Sequence, residues 1–317
     1  MAHVAAGPLR GIRICELSTV LAGPYCTMVL ADLGADVIKV EPPEGDATRG
    51  YGPPWVGEGE QRIAAYFLSV NRNKRSLRLD VRQPRGREVL GRLLARSDAL
   101  VENFRPGGLA RLGFDEPTLG RLNPHLVHLA ISGFGPAGPD AARPGYDFIA
   151  QAAGGLMSIT GFPDEEGGQP TKVGVAITDI VTGLFGAIGL LAALRDGRGQ
   201  RIDVSLLEST LALLINQAQN AFASASPPGR LGNAHPNIVP YETFATRDGQ
   251  IAVAVGSERQ WPRLCAALDV PELAGDPRFA DNDRRVRHRA ALRPLLAERF
   301  AAATSAEWLD RLDATQV

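Results

Sequence analysis

The chain has 317 residues, of which 44% are hydrophobic and 22% charged, and its formal net charge is −1. This composition is typical of a globular protein with a large core, and it excludes the basic excess expected of a protein that mainly binds nucleic acid. The three cysteines, Cys15, Cys26 and Cys265, are odd in number and far apart. They predict neither a metal cluster nor a disulfide framework, and they favour a reducing, cytoplasmic location. The first residues lack an apolar core, so no signal peptide is predicted.

The first half of the chain alternates predicted strands and helices. Residues 13–17 (RICEL) and 36–41 (DVIKVE) are predicted strands, and Pro24 and Gly34 suit the start and end of the helix between them. Such a βαβ unit implies a parallel sheet. Further strands are predicted at 76–80, 99–103, 126–132 and 201–206, and further helices at 84–96, 147–161, 178–195 and 207–223.

The composition changes near residue 224. Residues 224–236 are polar and rich in proline and glycine, which is typical of a linker. The sequence therefore predicts a large domain at 1–223 and a small domain at 237–317. The small domain is predicted to contain a hairpin at 243–246 and 250–255 around Asp248-Gly249, helices at 258–268 and 283–302, and a last helix opened by a capping box of Thr304 and Glu307.

Asp179 is the only charged residue between Val173 and Leu194, in a run of small and apolar residues. A buried ionised carboxylate is costly unless it is held, so this side chain either caps a helix or takes part in chemistry. The preference of Asp for the N-cap favours a cap, for Asp179 and for Asp147 alike. The two roles are compatible, since a helix N-terminus would keep the carboxylate ionised, as a nucleophile requires. The run is long enough to span a membrane, but Asp179 and four glycines favour a core helix.

Two other kinds of site receive little support. Glu41 stands where a ribose-binding acid would follow a dinucleotide loop, but the turn at 21–25 lacks GxGxxG and Pro24 removes an amide, so NAD binding is not expected. His125 and His128 are three residues apart without a third ligand nearby, so no metal site is expected. The chain also lacks the GxSxG pattern of a serine hydrolase.

Basic residues occur in predicted loops at 71–75 (NRNKR), Arg82, Arg105 and Arg111. Most such residues are simply exposed. Ligands of open α/β sheets, however, bind at the carboxyl ends of strands, where several of these residues lie and could hold phosphates. The best candidate is 103–107 (NFRPG), which offers an amide, an aromatic face and a guanidinium after one strand.

Six blocks of this sequence resemble, in the same order, the class III CoA-transferase family, which includes formyl-CoA transferase, carnitine CoA-transferase and α-methylacyl-CoA racemase. The blocks lie at 11–43, 71–80, 101–114, 145–155, 179–194 and 197–209, and the resemblance runs from about Leu9 to the C-terminus. It implies an α/β fold: a Rossmann-like parallel-sheet large domain that binds CoA and a smaller α+β domain, in an interlocked homodimer.

The resemblance also implies the chemistry. The expected activity is that of an acyl-CoA:carboxylate CoA-transferase, in which Asp179 forms a mixed anhydride and then an aspartyl-CoA thioester. The partners would be an acyl-CoA and a small carboxylic acid, with no metal, no cofactor beyond CoA as substrate, no nucleic acid and no membrane. The family's CoA contacts correspond to Leu79, Arg82, Asn103, Phe104, Arg105, Arg111, Tyr146 and Asp147.

The sequence departs from the family pattern at several points. Leu21 replaces a glutamine of formyl-CoA transferase, which disfavours oxalate as acceptor, and the glycine-rich active-site loop has only residues 229–233 as a counterpart. Tyr146 replaces the catalytic histidine of the racemase branch, and a tyrosine with a pKa of about 10 is a poor base near pH 7. The family's C-terminal return segment has no counterpart before Val317. An α-methylacyl-CoA racemase and a truncated, non-catalytic CoA-binding protein remain the alternatives.

Overall fold

The structure, a computed structural model, describes residues 7–317. Residues 1–6, on which the prediction of no signal peptide partly depends, lie outside the described residues. The chain divides into two compact units, one comprising residues up to 157 with 172–215 and the other residues 158–171 with 216–317.

A parallel six-stranded sheet forms the centre of the first unit. Its strands are β1 (Arg13–Glu16), β2 (Asp36–Glu41), β5 (Lys74–Arg78), β6 (Ala99–Glu102), β7 (Val127–Ser132) and β8 (Gln200–Ser205); β3 (Trp55–Val56) and β4 (Ile63–Ala64) form a separate hairpin. The sheet order is β5-β2-β1-β6-β7-β8, with Ile14 of β1 opposite Val37 of β2 and Ala99 of β6. The predicted parallel α/β sheet is confirmed, and its strands share one carboxyl edge.

Helices pack on both faces of the sheet, and the first unit contains eight α-helices or parts of α-helices among the described residues. They are α1 (Ala22–Asp32), α2 (Ala65–Ser69), α3 (Pro84–Leu94), α4 (Gly108–Arg111), α5 (Glu116–Leu122), α6 (Asp147–Ala153), α7 (Ile177–Asp196) and the first part of α8 (Leu206–Ser224). On one face Cys26 of α1 and Leu190 of α7 are buried with Leu129 of the sheet. On the other face Leu90 of α3 packs into a cluster with Leu100.

Helix α7 contains the apolar run around Asp179. It is long and apolar enough to cross a membrane by length and composition. One of its sides is nevertheless buried in the unit, where Ala187, Leu190 and Ala193 belong to the cluster between sheet and helices. That burial fits the prediction of a core helix. The opposite side carries exposed apolar residues, among them Phe185 and Ile188.

Two predicted boundaries in this part of the chain are wrong, and one helix with correctly predicted bounds contains an unpredicted break. Strand β5 begins at Lys74 rather than at residue 76, because it pairs with β2 from the Val37–Lys74 register onward. The helix predicted at 147–161 ends at Ala153, before Gly154 and Gly155, the second of which has a φ of +84°. Helix α8 is interrupted at Ile215, where φ is +33° and ψ is −106°.

The second unit contains residues 158–171, the end of α8, and then a hairpin and five helices. Its elements are β9 (Tyr241–Ala245), β10 (Gln250–Ala254), α9 (Gln260–Ala267), α10 (Pro271–Gly275), α11 (Asn282–Arg287), α12 (Arg289–Phe300) and α13 (Ser305–Thr315). Stacking of Phe244 on Phe300, with ring centroids 4.8 Å apart, lies in its core. The hairpin and the Thr304–Glu307 capping box are confirmed. The helix predicted at 283–302 is two helices that meet at His288, and α10 was not predicted.

Candidate active site

A pocket of about 240 Å³ lies at the carboxyl edge of the sheet and contains Asp179. Its walls come from the segments that follow β1, β6 and β8 and from the end of β7, because the carboxyl ends of these parallel strands meet at one edge. The lining residues are 19–22, 103–106, 131–133, 143–146, Asp179 and Leu206.

Asp179 is in the first turn of α7 but does not cap it. The helix begins at Ile177, its N-cap position is Ala176, and no side chain of its own N-cap closes the end. The predicted capping role of Asp179 is therefore wrong. Its carboxylate accepts no hydrogen bond from any residue that the structure describes, and it is free to face the pocket.

The cap of α7 comes instead from Asp147. This carboxylate accepts a hydrogen bond from the Thr178 amide at 2.9 Å and another from Gln151 Nε2 at 2.8 Å. Asp147 is the first residue of α6, whose N-cap position is Tyr146, so the prediction that Asp147 caps its own helix is also wrong. It closes the N-terminus of the helix that carries Asp179.

Burial changes the ionisation of Asp179. Removal from water, followed by the negative charge of Asp147, raises the pKa of Asp179 to about 7. The expectation that the helix N-terminus keeps this carboxylate fully ionised is therefore wrong, because burial outweighs the helix dipole. At neutral pH about half of the Asp179 side chains are ionised, and a strongly shifted pKa in a pocket indicates a candidate functional residue.

A close helix contact fixes the direction in which Asp179 points. Gly183 lies four residues further along α7, on the same helix face. A Cβ atom on Gly183 would come within 2.6 Å of the Ala22 carbonyl oxygen, so only glycine allows α7 to approach the start of α1 this closely. Asp179 therefore faces the N-terminus of α1, and Ala22 lines the same pocket.

The segment between β1 and α1 is held in an unusual conformation at the pocket wall. Asn103 accepts a hydrogen bond from the Thr19 amide at 2.9 Å and donates one to the Thr19 carbonyl at 2.8 Å. The next residue, Val20, has a φ of +70°, which is rare for a β-branched side chain. Such conformations persist where neighbouring contacts hold them, and they cluster at functional sites.

The structure brings only part of the predicted site together. Asp179, Asn103, Phe104, Arg105 and Tyr146 line one pocket. Four other predicted CoA contacts do not line it: Leu79 follows β5, Arg82 is paired with Asp80, Arg111 ends α4, and Asp147 supports α7.

Three residues near Asp179 were not predicted as site residues. Arg143 lines the pocket and is exposed, although it also pairs with Asp140 at 3.0 Å. Val20 could not be identified from its residue type. Tyr66 packs in one cluster with Leu21 and Ile180, the residue after Asp179. Burial, followed by the charge of Asp179, raises the pKa of Tyr66 to about 12, so this phenol stays protonated. In the sequence, the only indication for Arg143 was its position three residues before Tyr146, a predicted site residue.

Comparisons with known proteins agree with this geometry. The model of the family described as CoA-transferase family III matches residues 9–317. The succinate–glutarate CoA-transferase of Agrobacterium fabrum is 48% identical over 92% of this chain and 74% of its own length. The succinyl-CoA:glutarate CoA-transferase of Mus musculus is 45% identical over 95% of this chain and 69% of its own length. The crystal structure of a CAIB/BAIF family protein from Brucella suis is 47% identical, with a TM-score of 0.85, and covers 98% of this chain and 82% of that one.

A parallel α/β sheet, a pocket at its carboxyl edge and these matches over nearly all of the described residues lead to one conclusion. The chain belongs to the enzymes of CoA-transferase family III.

Proposed function

We propose that the protein is an acyl-CoA:carboxylate CoA-transferase in which Asp179 is the covalent nucleophile. The observation that carries this proposal is a carboxylate without a hydrogen-bond donor among the described residues, in a pocket at the sheet edge, with a pKa of about 7. Donors that bind a carboxylate tightly reduce its nucleophilicity, and Asp147 is in that state. Asp179 is not, so an ionised Asp179 is available for attack.

The proposed reaction has four acyl-transfer steps. An oxygen of Asp179 attacks the acyl-CoA carbonyl carbon, the C–S bond breaks, and a mixed anhydride and CoA thiolate result. The thiolate attacks the Asp179 carbonyl carbon, which releases the donor acid and forms an aspartyl-CoA thioester. An acceptor carboxylate attacks this thioester, giving a second anhydride and thiolate, and the thiolate then takes the acceptor acyl group and frees Asp179. The route needs no metal or redox cofactor, because each step exchanges one acyl bond for another.

The start of α1 is the proposed stabiliser of the negative charge that develops in these steps. The amides of Ala22 and Gly23 are in the first turn, where a helix offers no internal acceptor, and the N-cap residue Leu21 makes no side-chain cap. Leu21 and Ala22 line the pocket, so the positive end of the helix dipole lies beside Asp179. Oriented amides of this kind typically lower the barrier of acyl transfer by about 3 kcal/mol.

The charges of the pocket favour a dicarboxylic acyl group. Arg105 and Arg143 line it, and Arg105 is exposed with no acceptor for its guanidinium among the described residues. A guanidinium can bind the distal carboxylate of a succinyl or glutaryl group in a bidentate manner. Relatives that act on succinate, glutarate and mesaconate support the same substrate class. Leu21, apolar and buried at the wall, supports an acyl chain with methylene groups rather than oxalate.

We assign the remaining predicted contacts to the nucleotide end of CoA. Leu79 and Arg82 follow β5, and Arg111 ends the short helix after β6, so they lie along the same carboxyl edge as the pocket. A homodimer is also part of the proposal, supported by exposed apolar side chains of Phe185 and Ile188 on α7.

The test is chemical trapping of the activated aspartate. The protein is incubated with succinyl-CoA and hydroxylamine, and its peptides are mapped by mass. We expect a hydroxamate on Asp179 in the wild type and none in Asp179→Asn. Succinyl-CoA, glutaryl-CoA and acetyl-CoA are compared, and Arg105→Met and Arg143→Met should weaken the dicarboxylic donors more than acetyl-CoA.

The alternatives give different results in the same experiment. Bound CoA without any hydroxamate would refute the covalent mechanism and point to a binding protein. Exchange of the α-proton of a 2-methylacyl-CoA with deuterated solvent, without transfer to an acceptor acid, would point to a racemase.

A further inference from the structure

Four charged residues form a buried cluster beneath the pocket wall. The buried charge cluster consists of Glu16 of β1, Lys39 of β2, Asp46 and Lys74 of β5. The side chains of all four are at most 2% exposed. Two ammonium groups face two carboxylates, so the cluster carries no net charge. Nothing in the proposed reaction uses it directly.

Each ammonium of the cluster has a full set of acceptors. Lys74 Nζ lies 3.0 Å from a Glu16 oxygen, 2.8 Å from the Pro24 carbonyl oxygen and 3.0 Å from Asn71 Oδ1. Lys39 Nζ lies 3.0 Å from Glu16. It also lies 2.9 Å from Asp46 Oδ2 and 2.8 Å from the Ser18 carbonyl oxygen. An ammonium has three protons to donate, and each lysine donates one of them to a main-chain oxygen near the pocket.

The two oxygens, those of Ser18 and Pro24, lie at the two ends of a segment that forms part of the pocket wall. We call residues 18–24 the site segment. Lys39 holds its first residue, Ser18, and Lys74 holds its last, Pro24. A Cβ on Gly23 would come within 2.2 Å of Ser18 Oγ, so the two ends of the segment also touch each other. Val20, with its φ of +70°, lies between these fixed points, and backbone strain of this kind persists where the surrounding structure holds it.

The residue type supports a positional role for the two lysines. The chain contains 34 lysines and arginines, of which only Lys39, Lys74 and Lys172 are lysines. Two of the three are therefore in the buried charge cluster. A compact ammonium on a flexible stem can turn its three donors toward acceptors on different elements.

We propose that Lys74 is a positioning residue for the transfer reaction: it fixes the first turn of α1 against the turn of α7 that carries Asp179. The inference rests on the proposed function of Asp179. From the Pro24 carbonyl, the constraint passes through the first turn of α1 to Ala22. The Ala22 carbonyl in turn abuts Gly183, one helical turn from Asp179. Loss of the ammonium bond should let the α1 amides move away from Asp179, which lowers kcat more than it changes binding of CoA.

The ionisation of Lys74 gives the role a pH dependence. Burial lowers the pKa of Lys74 to about 8, while the charge of Glu16 limits the fall and that of Lys39 adds to it. The titratable groups that face it are Glu16 on β1, Lys39 on β2 and the thiol of Cys26 on α1. Above about pH 8 the amine becomes neutral and its bonds to Glu16 and Pro24 weaken, so kcat should fall there.

The test compares a single variant with a charge-balanced one. Lys74→Met leaves Glu16 partly unpaired and can destabilise the fold. Lys74→Met with Glu16→Gln removes one charge of each sign and leaves Lys39 paired with Asp46, so it should unfold close to the wild-type temperature. We expect about 100-fold lower kcat in the charge-balanced variant, with KM for acyl-CoA within about threefold, as for a misplacement near 1 Å. The matched control is Lys172→Met, because Lys172 is the third lysine of the chain and is exposed.

Two results would overturn the inference. One is a folded charge-balanced variant with kcat within about threefold of wild type, which would leave the cluster a purely structural role. The other comes from the wild type alone, with lysine labelled at the ε-carbon, which gives three signals. A Lys74 signal that titrates near pH 8 without any fall in kcat would refute the inference even if no variant folds. Hydroxamate formation on wild-type Asp179 is measured in parallel, so that failure of the proposed function is distinguished from failure of this inference.

Discussion

We expect kcat/KM for CoA transfer to rise steeply as the pH increases through about 7. This ratio follows the ionisations of the free enzyme. Burial, with the charge of Asp147, places the pKa of Asp179 at about 7, and only the ionised carboxylate can attack. The ionised fraction of Asp179 is about one tenth at pH 6 and about half at pH 7, so kcat/KM should rise about fivefold between about pH 6 and pH 7. Between about pH 7 and pH 8 the curve should level off, because Lys74 begins to lose its proton there.

The assay is the initial rate of transfer from succinyl-CoA to glutarate at limiting donor concentration. Asp147→Asn is the diagnostic variant, because its amide oxygen can still accept from the Thr178 amide while the negative charge is removed. The midpoint of the acid limb should move to lower pH. The movement should be less than half of the rise from 3.8 to about 7, since burial is the larger cause. A profile that is flat between about pH 5 and pH 8, or a midpoint that Asp147→Asn leaves in place, would refute this reasoning.

Three further predictions concern stability. Asp179→Asn should raise the free energy of unfolding at pH 8 by about 2 kcal/mol, discounted for partial exposure. Calorimetry should show this gain shrink as the pH falls through 7 and vanish below about pH 3, where the carboxyl is protonated in both states. Gly183→Ala should cost about 1–3 kcal/mol in urea unfolding, because its Cβ meets the Ala22 carbonyl, while Gly120→Ala, in open space on α5, should cost nothing. Thr304→Ala should lower the free energy of unfolding by about 1 kcal/mol because it removes the capping box, and Thr304→Ser should keep both the box and the stability.

Local patterns predicted most of the fold. Pro24 and Gly34 mark the limits of α1 to within two residues, and the Asp248-Gly249 turn identified the hairpin of the second unit. Strand β5 was misplaced because it begins with Lys74, whose charge argues against a buried position. The ammonium is buried because it reaches Glu16, the Pro24 carbonyl and Asn71, and the first two of these are distant in sequence.

The sequence predicted several residues of the candidate site, but not the contacts between them. An isolated Asp179 in an apolar run suggests chemistry, and 103–107 suggests a ligand. That Asp147 would cap the helix of Asp179 could not be foreseen, since the bond to Thr178 joins residues 31 positions apart. The elevated pKa of Asp179 was missed for the same reason: it depends on burial by other elements and on the nearby carboxylate. The residues on either side of Val20 bond to Asn103 and to two lysines, all of which are distant in sequence.

The division of the chain also has a consequence for its synthesis on the ribosome. The chain passes from one unit to the other after residues 157, 171 and 215. Residues 158–171 emerge early, yet their partners in the second unit come much later: Arg230 donates to the Phe162 carbonyl at 3.0 Å, and Arg293 pairs with Glu166 at 3.2 Å. The first unit lacks α7 and β8 until residue 205 has been made. Neither unit can therefore finish folding before most of the chain has left the ribosome. Residues 158–171 stay without these partners until Arg230 and Arg293 have been made.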